Sequence, residues 1–190
     1  MTELVLAAEE LQAFCRARGW KFCCIGGLAV LQWSELRTTM DVDMTLLTGF
    51  GREREFIDEL LRHYRPRLKD AAEFAEKSRV LLLQTRDGLG IDIALGALPF
   101  EELTVRRAVE VELLPGHFVK VCTGEDLIVH KVFAARGKDW RDVEMTIVRQ
   151  GDKLDWRYIR EQLRPLLELK EEPELLDRLE DLREKISREM

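Results

Sequence analysis

The sequence predicts an α/β (α+β) fold: a small mixed β-sheet with flanking helices, followed by a helical C-terminal subdomain. Three observations carry that expectation. Short apolar runs separated by turn residues recur as far as Val121. From Thr123 onward no strand pattern remains, and apolar residues recur at helical spacing instead. Near the N-terminus, the apolar run Cys24-Ile25 meets Gly26-Gly27, a short helical segment follows, and a strand-like run returns as Asp41-Val42-Asp43-Met44-Thr45. The expected division is an α/β core over residues 1–121 and a helical subdomain over 122–190, packed as one compact unit.

In chain order, Leu4, Leu11, Phe14 and Cys15 mark a helix over 3–17, closed by Gly19. A short strand spans 21–25, a helix 28–33 and a strand 41–47. Thr48-Gly49-Phe50-Gly51 turns into a second amphipathic helix bearing Phe56, Ile57, Leu60 and Leu61, which ends before Pro66. A short helix is expected over 71–76. Residues 79–85 form a buried strand, Asp87-Gly88 a turn, and Ile91-Asp92-Ile93-Ala94-Leu95 the returning hairpin partner. Pro115-Gly116 joins strands over 108–114 and 117–121 as a second hairpin. Helices follow over 124–135, 139–149, 155–169 and 174–188, with joints at Gly151 and Pro173.

Composition excludes several classes. The 190 residues are enough for a real core, and 46% are hydrophobic. No apolar run has the length of a membrane span, and the first residues show no secretory signal, so a cytoplasmic protein without a membrane partner is expected. Cys15, Cys23, Cys24 and Cys122 lack zinc or redox spacing and suit reduced packing residues. The net charge of −6 argues against a protein that coats nucleic acid. Two local basic clusters stand against that balance, Arg62-Arg65-Arg67-Lys69 and Arg136-Lys138-Arg141, although such clusters are more often solvated faces.

Asp41 and Asp43 carry the chemistry. Alternate residues of a strand share a face, so the two carboxylates stand about 7 Å apart at their Cα atoms, while Val42 and Met44 point into the core. Carboxylates that close repel unless one protonates or a cation lies between them. A hard divalent ion shared with phosphates suits such a pair. An exposed edge strand is the plainer alternative. The glycine pair upstream weighs against it, because backbone without side chains at a strand-to-helix junction lets a phosphate approach. Asp92, set between two isoleucines, is a third acid in a strand, where aspartate is disfavoured.

Ile25-Gly26-Gly27, a short helix and Asp41-Val42-Asp43 resemble the signature of the nucleotidyltransferase superfamily, with its DNA polymerase β-like fold. The fuller string Gly26-Gly27-Leu28-Ala29 to Arg37-Thr38-Thr39-Met40-Asp41-Val42-Asp43 looks most like the AbiEii-type toxin nucleotidyltransferases. The resemblance implies that Asp41, Asp43 and Asp92 ligate two Mg²⁺ ions, with Mn²⁺ as a substitute. It implies that Gly26, Gly27, Arg37 and Thr39 hold an NTP such as ATP. The reaction implied is transfer of a nucleoside monophosphate to an acceptor, RNA or tRNA, by a toxin with a cognate antitoxin. Small-molecule antibiotic nucleotidyltransferases use the same fold and supply the alternative acceptor. A nucleotide-binding module without turnover is the third reading.

The tail extends the resemblance. The string Lys131-Val132-Phe133-Ala134-Ala135-Arg136-Gly137-Lys138-Asp139-Trp140-Arg141-Asp142 looks like a block that follows the sheet in AbiEii-like proteins. It implies that Lys131 meets nucleotide phosphates as a catalytic residue and that Asp139 and Asp142 belong to the nucleotide site. The residues alone also allow a snorkelling Lys131, and an N-capping Asp139 with Asp142 in the first helical turn. Both readings stay open. Trp140 and Trp156 are expected as packing anchors.

Overall fold

The computed structural model describes residues 1–35 and 39–189. In chain order, the N-terminal helix α1 (Thr2–Ala17) is followed by β1 (Phe22–Cys24), α2 (Gly26–Trp33) and β2 (Asp41–Leu47). Then come α3 (Glu53–His63), β3 (Arg65–Pro66), α4 (Ala71–Ser78), β4 (Val80–Gln84) and β5 (Gly90–Gly96). The chain continues through α5 (Pro99–Arg107), β6 (Val109–Leu114) and β7 (His117–Val121). Last are the helices α6 (Gly124–Ala134), α7 (Gly137–Gln150), α8 (Trp156–Lys170) and α9 (Glu174–Glu189). The α/β expectation holds. The described residues gather into two compact units, one of residues 1–28 and 39–122 and one of 29–35 and 123–189, so the division passes through α2.

The first unit is built on a mixed sheet of order β3-β4-β5-β2-β1-β7-β6. Its β2–β5 and β1–β7 pairs are parallel and the others antiparallel. Strand alternation gives the central strands one closed face. Val42, Met44 and Leu46 of β2, Ile91, Ile93 and Leu95 of β5, and Leu81 and Leu83 of β4 are all buried. The helices α1 and α4 pack on the sheet, and α1, α3 and α4 add Leu4, Leu11, Ile57, Leu60 and Ala75 to the core. Each fully buried leucine or isoleucine contributes roughly 1.5–3 kcal/mol. Asp41, Asp43 and Asp92 alternate with these apolar residues and stand half-buried on the opposite face. The four cysteines are buried free thiols.

In the first unit, two elements differ from the expectation. Residues 99–107, to which the hydrophobic pattern assigns nothing, form α5. Its signal is short: Pro99 at the first position, and Glu101, which accepts from the backbone N–H groups of Ala97 and Leu98 at 2.8 Å each. The two-residue strand β3 lies where the sequence reading has only a helix end. Its pairing partners, Gln84 and Leu83, are distant in sequence.

The second unit is a helical cluster in which α6 packs against α7, α8 and α9. Thr123 caps α6, accepting from Asp126 N at 3.3 Å. The Asp126 carboxylate is fully buried, accepting from Thr123 Oγ1 at 2.9 Å and from the Tyr158 hydroxyl at 2.6 Å. This joins the first turn of α6 to α8. Trp140 and Trp156 are packing residues, with Arg178 lying 4.0 Å from one ring centroid and Arg183 4.5 Å from the other. No described helix is long and apolar enough to cross a membrane. Replacing Tyr158 with Phe removes a hydrogen bond to the buried Asp126 side chain. A loss of about 1–3 kcal/mol in chemical denaturation is expected, with native helix content retained by circular dichroism.

Candidate active site

The acidic face is assembled by strand register. Asp43 of β2 lies directly beside Asp92 of the parallel β5, and Asp41 lies beside Gly90. Adjacent strands are about 4.8 Å apart. Three carboxylates from two strands therefore share one face, as the sequence predicts for Asp41, Asp43 and Asp92.

Asp43 is anchored by the start of α2. Its Oδ2 accepts from the backbone N–H of Gly27 at 3.1 Å, and its carbonyl accepts from Ile25 N at 2.9 Å. The first N–H groups of a helix lack intrahelical partners and sit at the positive end of its dipole, so they favour a carboxylate. Gly26 has φ +52°, and a methyl group there would overlap the Asp43 carboxylate. A methyl group on Gly27 would overlap the Thr39 hydroxyl. The glycine pair is thus needed for close approach, and the space above it receives Asp43 and Thr39. Arg37 lies outside the described residues.

A cation also meets this face. Arg67 forms an ion pair with Asp92 through its NH2 group. Its NH1 comes within 3.5 Å of the point where a Gly90 Cβ would stand, a point that Asp41 Oδ1 also crowds. The guanidinium therefore lies against both Asp92 and the ground beside Asp41. Sequence reading counts Arg67 only within a basic cluster. No local signal marks it, because its position depends on the β3–β4 pairing.

The donor set fits a hard cation: three carboxylates on one face, oxygen ligands only, with a glycine cradle below one of them. Among the described residues, no three Asp, Glu, His or Cys side chains already converge on a point that could hold a metal. Asp92 is engaged by Arg67 and Asp43 by Gly27.

The second unit contains a buried ionic cluster. Lys131 Nζ lies 3.0 Å from Asp139 Oδ1 and 2.7 Å from Asp142 Oδ2, with the side chains 7%, 0% and 4% exposed. Arg136 Nε donates to Asp139 Oδ2 at 2.6 Å. Asp139 is the third residue of α7, not its N-cap, because the helix starts at Gly137 with Arg136 as cap. Its carboxylate reaches back to Arg136 N at 3.2 Å, so it stabilises the helix start from the first turn. Burial pushes the Asp139 carboxyl up, but hydrogen bonds from Arg136 and Lys131 outweigh it and hold the group below its ordinary value. The main-chain oxygen of Asp142 accepts from Ser34 Oγ at 3.4 Å and Thr146 Oγ1 at 2.7 Å. The structure brings Lys131, Asp139 and Asp142 together, with the ammonium already shared by two acids.

No protein-family model matches the chain, and no curated protein matches its sequence. Solved structures do match. ANT(2'')-Ia, described as an antibiotic-resistance factor, superposes with a TM-score of 0.58 at 16% identity, over 90% of this chain and 96% of that one. The chain has a nucleotidyltransferase-type fold. An antigenic nucleotidyltransferase-like protein from Paracoccidioides brasiliensis gives 0.52 at 16% identity, over 94% and 91%. A structure of ANT(2'')-Ia with adenylyl-2''-tobramycin gives 0.50 at 16% identity, over 86% and 95%. At 16% identity these likenesses show the fold alone. The AbiEii-type resemblance rests on the sequence strings alone.

Two substitutions probe this geometry. Gly26→Ala sets a side chain at positive φ against Asp43, and a loss of about 1–3 kcal/mol is expected in urea unfolding. Lys131→Met takes the shared ammonium away from two buried carboxylates, and a loss of about 3–5 kcal/mol is expected at pH 7. Asp139 has a depressed folded pKa. Its stabilisation is present above the ordinary value of 3.8 and is lost as pH falls through the folded value. The cost of Lys131→Met should therefore shrink in acid, which denaturation curves at pH 7 and pH 3 would reveal.

Proposed function

We propose that the chain is a metal-dependent nucleotidyltransferase that moves a nucleoside monophosphate from an NTP to an acceptor hydroxyl and releases pyrophosphate. The observation that carries this reading is the register of Asp43 beside Asp92, with Asp41 on the same face, inside a nucleotidyltransferase-type fold. Asp41, Asp43 and Asp92 are the residues that would hold Mg²⁺. When bound, the metal supplies activation of the attacking oxygen and neutralisation of the leaving charge. Asp43 orients the site through Gly27, Thr39 and the Gly26-Gly27 backbone border the phosphate side, and Asp92 receives the acceptor proton. Lys131 and its two aspartates fix α6 on α7. A phosphate role for the lysine requires it to leave both acids.

For the acceptor we favour a small, cationic, polyhydroxylated compound of the aminoglycoside kind. The net charge of −6 attracts such a molecule, and ANT(2'')-Ia, whose complex contains adenylyl-2''-tobramycin, shares the fold. An RNA acceptor such as a tRNA 3′ end, in a toxin–antitoxin pair, is the second reading. It is supported by the AbiEii-like strings and by exposed Arg65, Lys69 and Arg86 near the β3–β4 edge. It is weakened because Arg62, Arg67 and Arg136, counted in the basic clusters, are already paired with Glu59, Asp92 and Asp139.

Incubation of the purified chain with each labelled NTP, Mg²⁺, aminoglycosides, lincosamides and RNAs tests both readings. Label is expected on a small acceptor, with Asp43→Asn and Asp92→Asn each lowering the rate by about a hundredfold or more while the fold persists. Label on RNA alone would transfer the proposal to the second reading. Normal turnover in Asp43→Asn would end the metal reading.

A further inference from the structure

Arg67 stands where the acidic face needs positive charge. Its backbone N–H donates to Leu82 O at 3.0 Å, and Leu82 is the register partner of Asp92, which in turn lies beside Asp43. The main chain thus sets Arg67 at the end of the row Leu82–Asp92–Asp43. Its guanidinium reaches along that row to Asp92 and toward the Asp41 carboxylate above Gly90. Three anions at strand spacing repel one another, and the guanidinium offsets that repulsion. The ion-paired side chains are 30% and 32% exposed, so water can reach the pair and it can exchange.

We propose that Arg67 is a positioning residue of this face: its guanidinium holds Asp92 as a resident counter-charge and competes with a divalent cation for that carboxylate. The inference rests on the metal reading above. Full use of the three carboxylates by a metal then requires Arg67 to release Asp92. Removing Arg67 should tighten metal binding in the absence of nucleotide, whereas a plain structural role would leave it unchanged.

The test measures Mn²⁺ binding to the full chain, without nucleotide and at fixed ionic strength, by electron paramagnetic resonance. Arg67→Gln should lower the Kd by about fivefold, since an anion freed of its cation favours the metal. Arg67→Lys retains the charge without the fork, so it should fall between the two and serves if the glutamine variant does not fold. Arg65→Gln removes a neighbouring exposed cation and should change the Kd much less. In an Asp92→Asn background, Arg67→Gln should give no further gain. Unchanged or weaker binding in Arg67→Gln overturns the proposal, as does an equal gain in Arg65→Gln or a gain that survives Asp92→Asn. If Asp41→Asn abolishes binding while Arg67→Gln is neutral, the metal reading stands and this inference alone falls. If neither wild type nor Arg67→Gln binds Mn²⁺, both fall.

Discussion

The parallel pairing of β2 with β5 is the constraint on which the first unit depends. It sets Asp43 opposite Asp92 and places Asp41 over Gly90. The same alternation drives Val42, Met44, Ile91 and Ile93 into the core. A one-residue slip would bury the acids and expose the apolar residues, so the hydrophobic face fixes the register and the register fixes the acidic face. The cost is a concentration of negative charge. Gly27 and Arg67 supply positive partners from opposite sides: one is a backbone dipole at a helix start, the other a side-chain guanidinium.

The glycine pair shows how close packing constrains such a site. A nucleotide-binding glycine is expected to leave room for phosphate. Here the room above Gly26 and Gly27 accommodates the Asp43 carboxylate and the Thr39 hydroxyl. The glycines therefore act first on the protein's own side chains, by letting an acidic strand lie against a helix start. Phosphate recognition, as proposed, would use the same helix start and Thr39 together.

The ionic cluster of the second unit obeys different physics. Lys131, Asp139 and Asp142 are shielded from water, where an unpaired charge is costly and a satisfied network is geometrically demanding. Arg136 adds a second cation to Asp139 from the exposed side. The cluster links the end of α6 to the first turns of α7. Ser34 and Arg149, with Trp33 and Gln150, tie the end of α2 to α7 through backbone carbonyls. In the folded chain these polar residues join α6 to α7.

Much of this was legible in the chain itself. Period-two runs and turn residues identified β2, β4, β5 and the β6–β7 hairpin, and helical spacing identified α1 and α6 to α9, because burial of one face imposes those periods. Asp41, Asp43 and Asp92 stood out as acids inside apolar strands. The helix α5 and the strand β3 did not, since a short helix on a glutamate cap and a two-residue strand carry too little periodicity. Tertiary structure alone decided which charges meet. Arg67 faces Asp92 through a strand pairing distant in sequence, and Lys131 is enclosed by Asp139 and Asp142 through helix packing. Local sequence sets which face a side chain is on; only the folded chain sets what stands across from it.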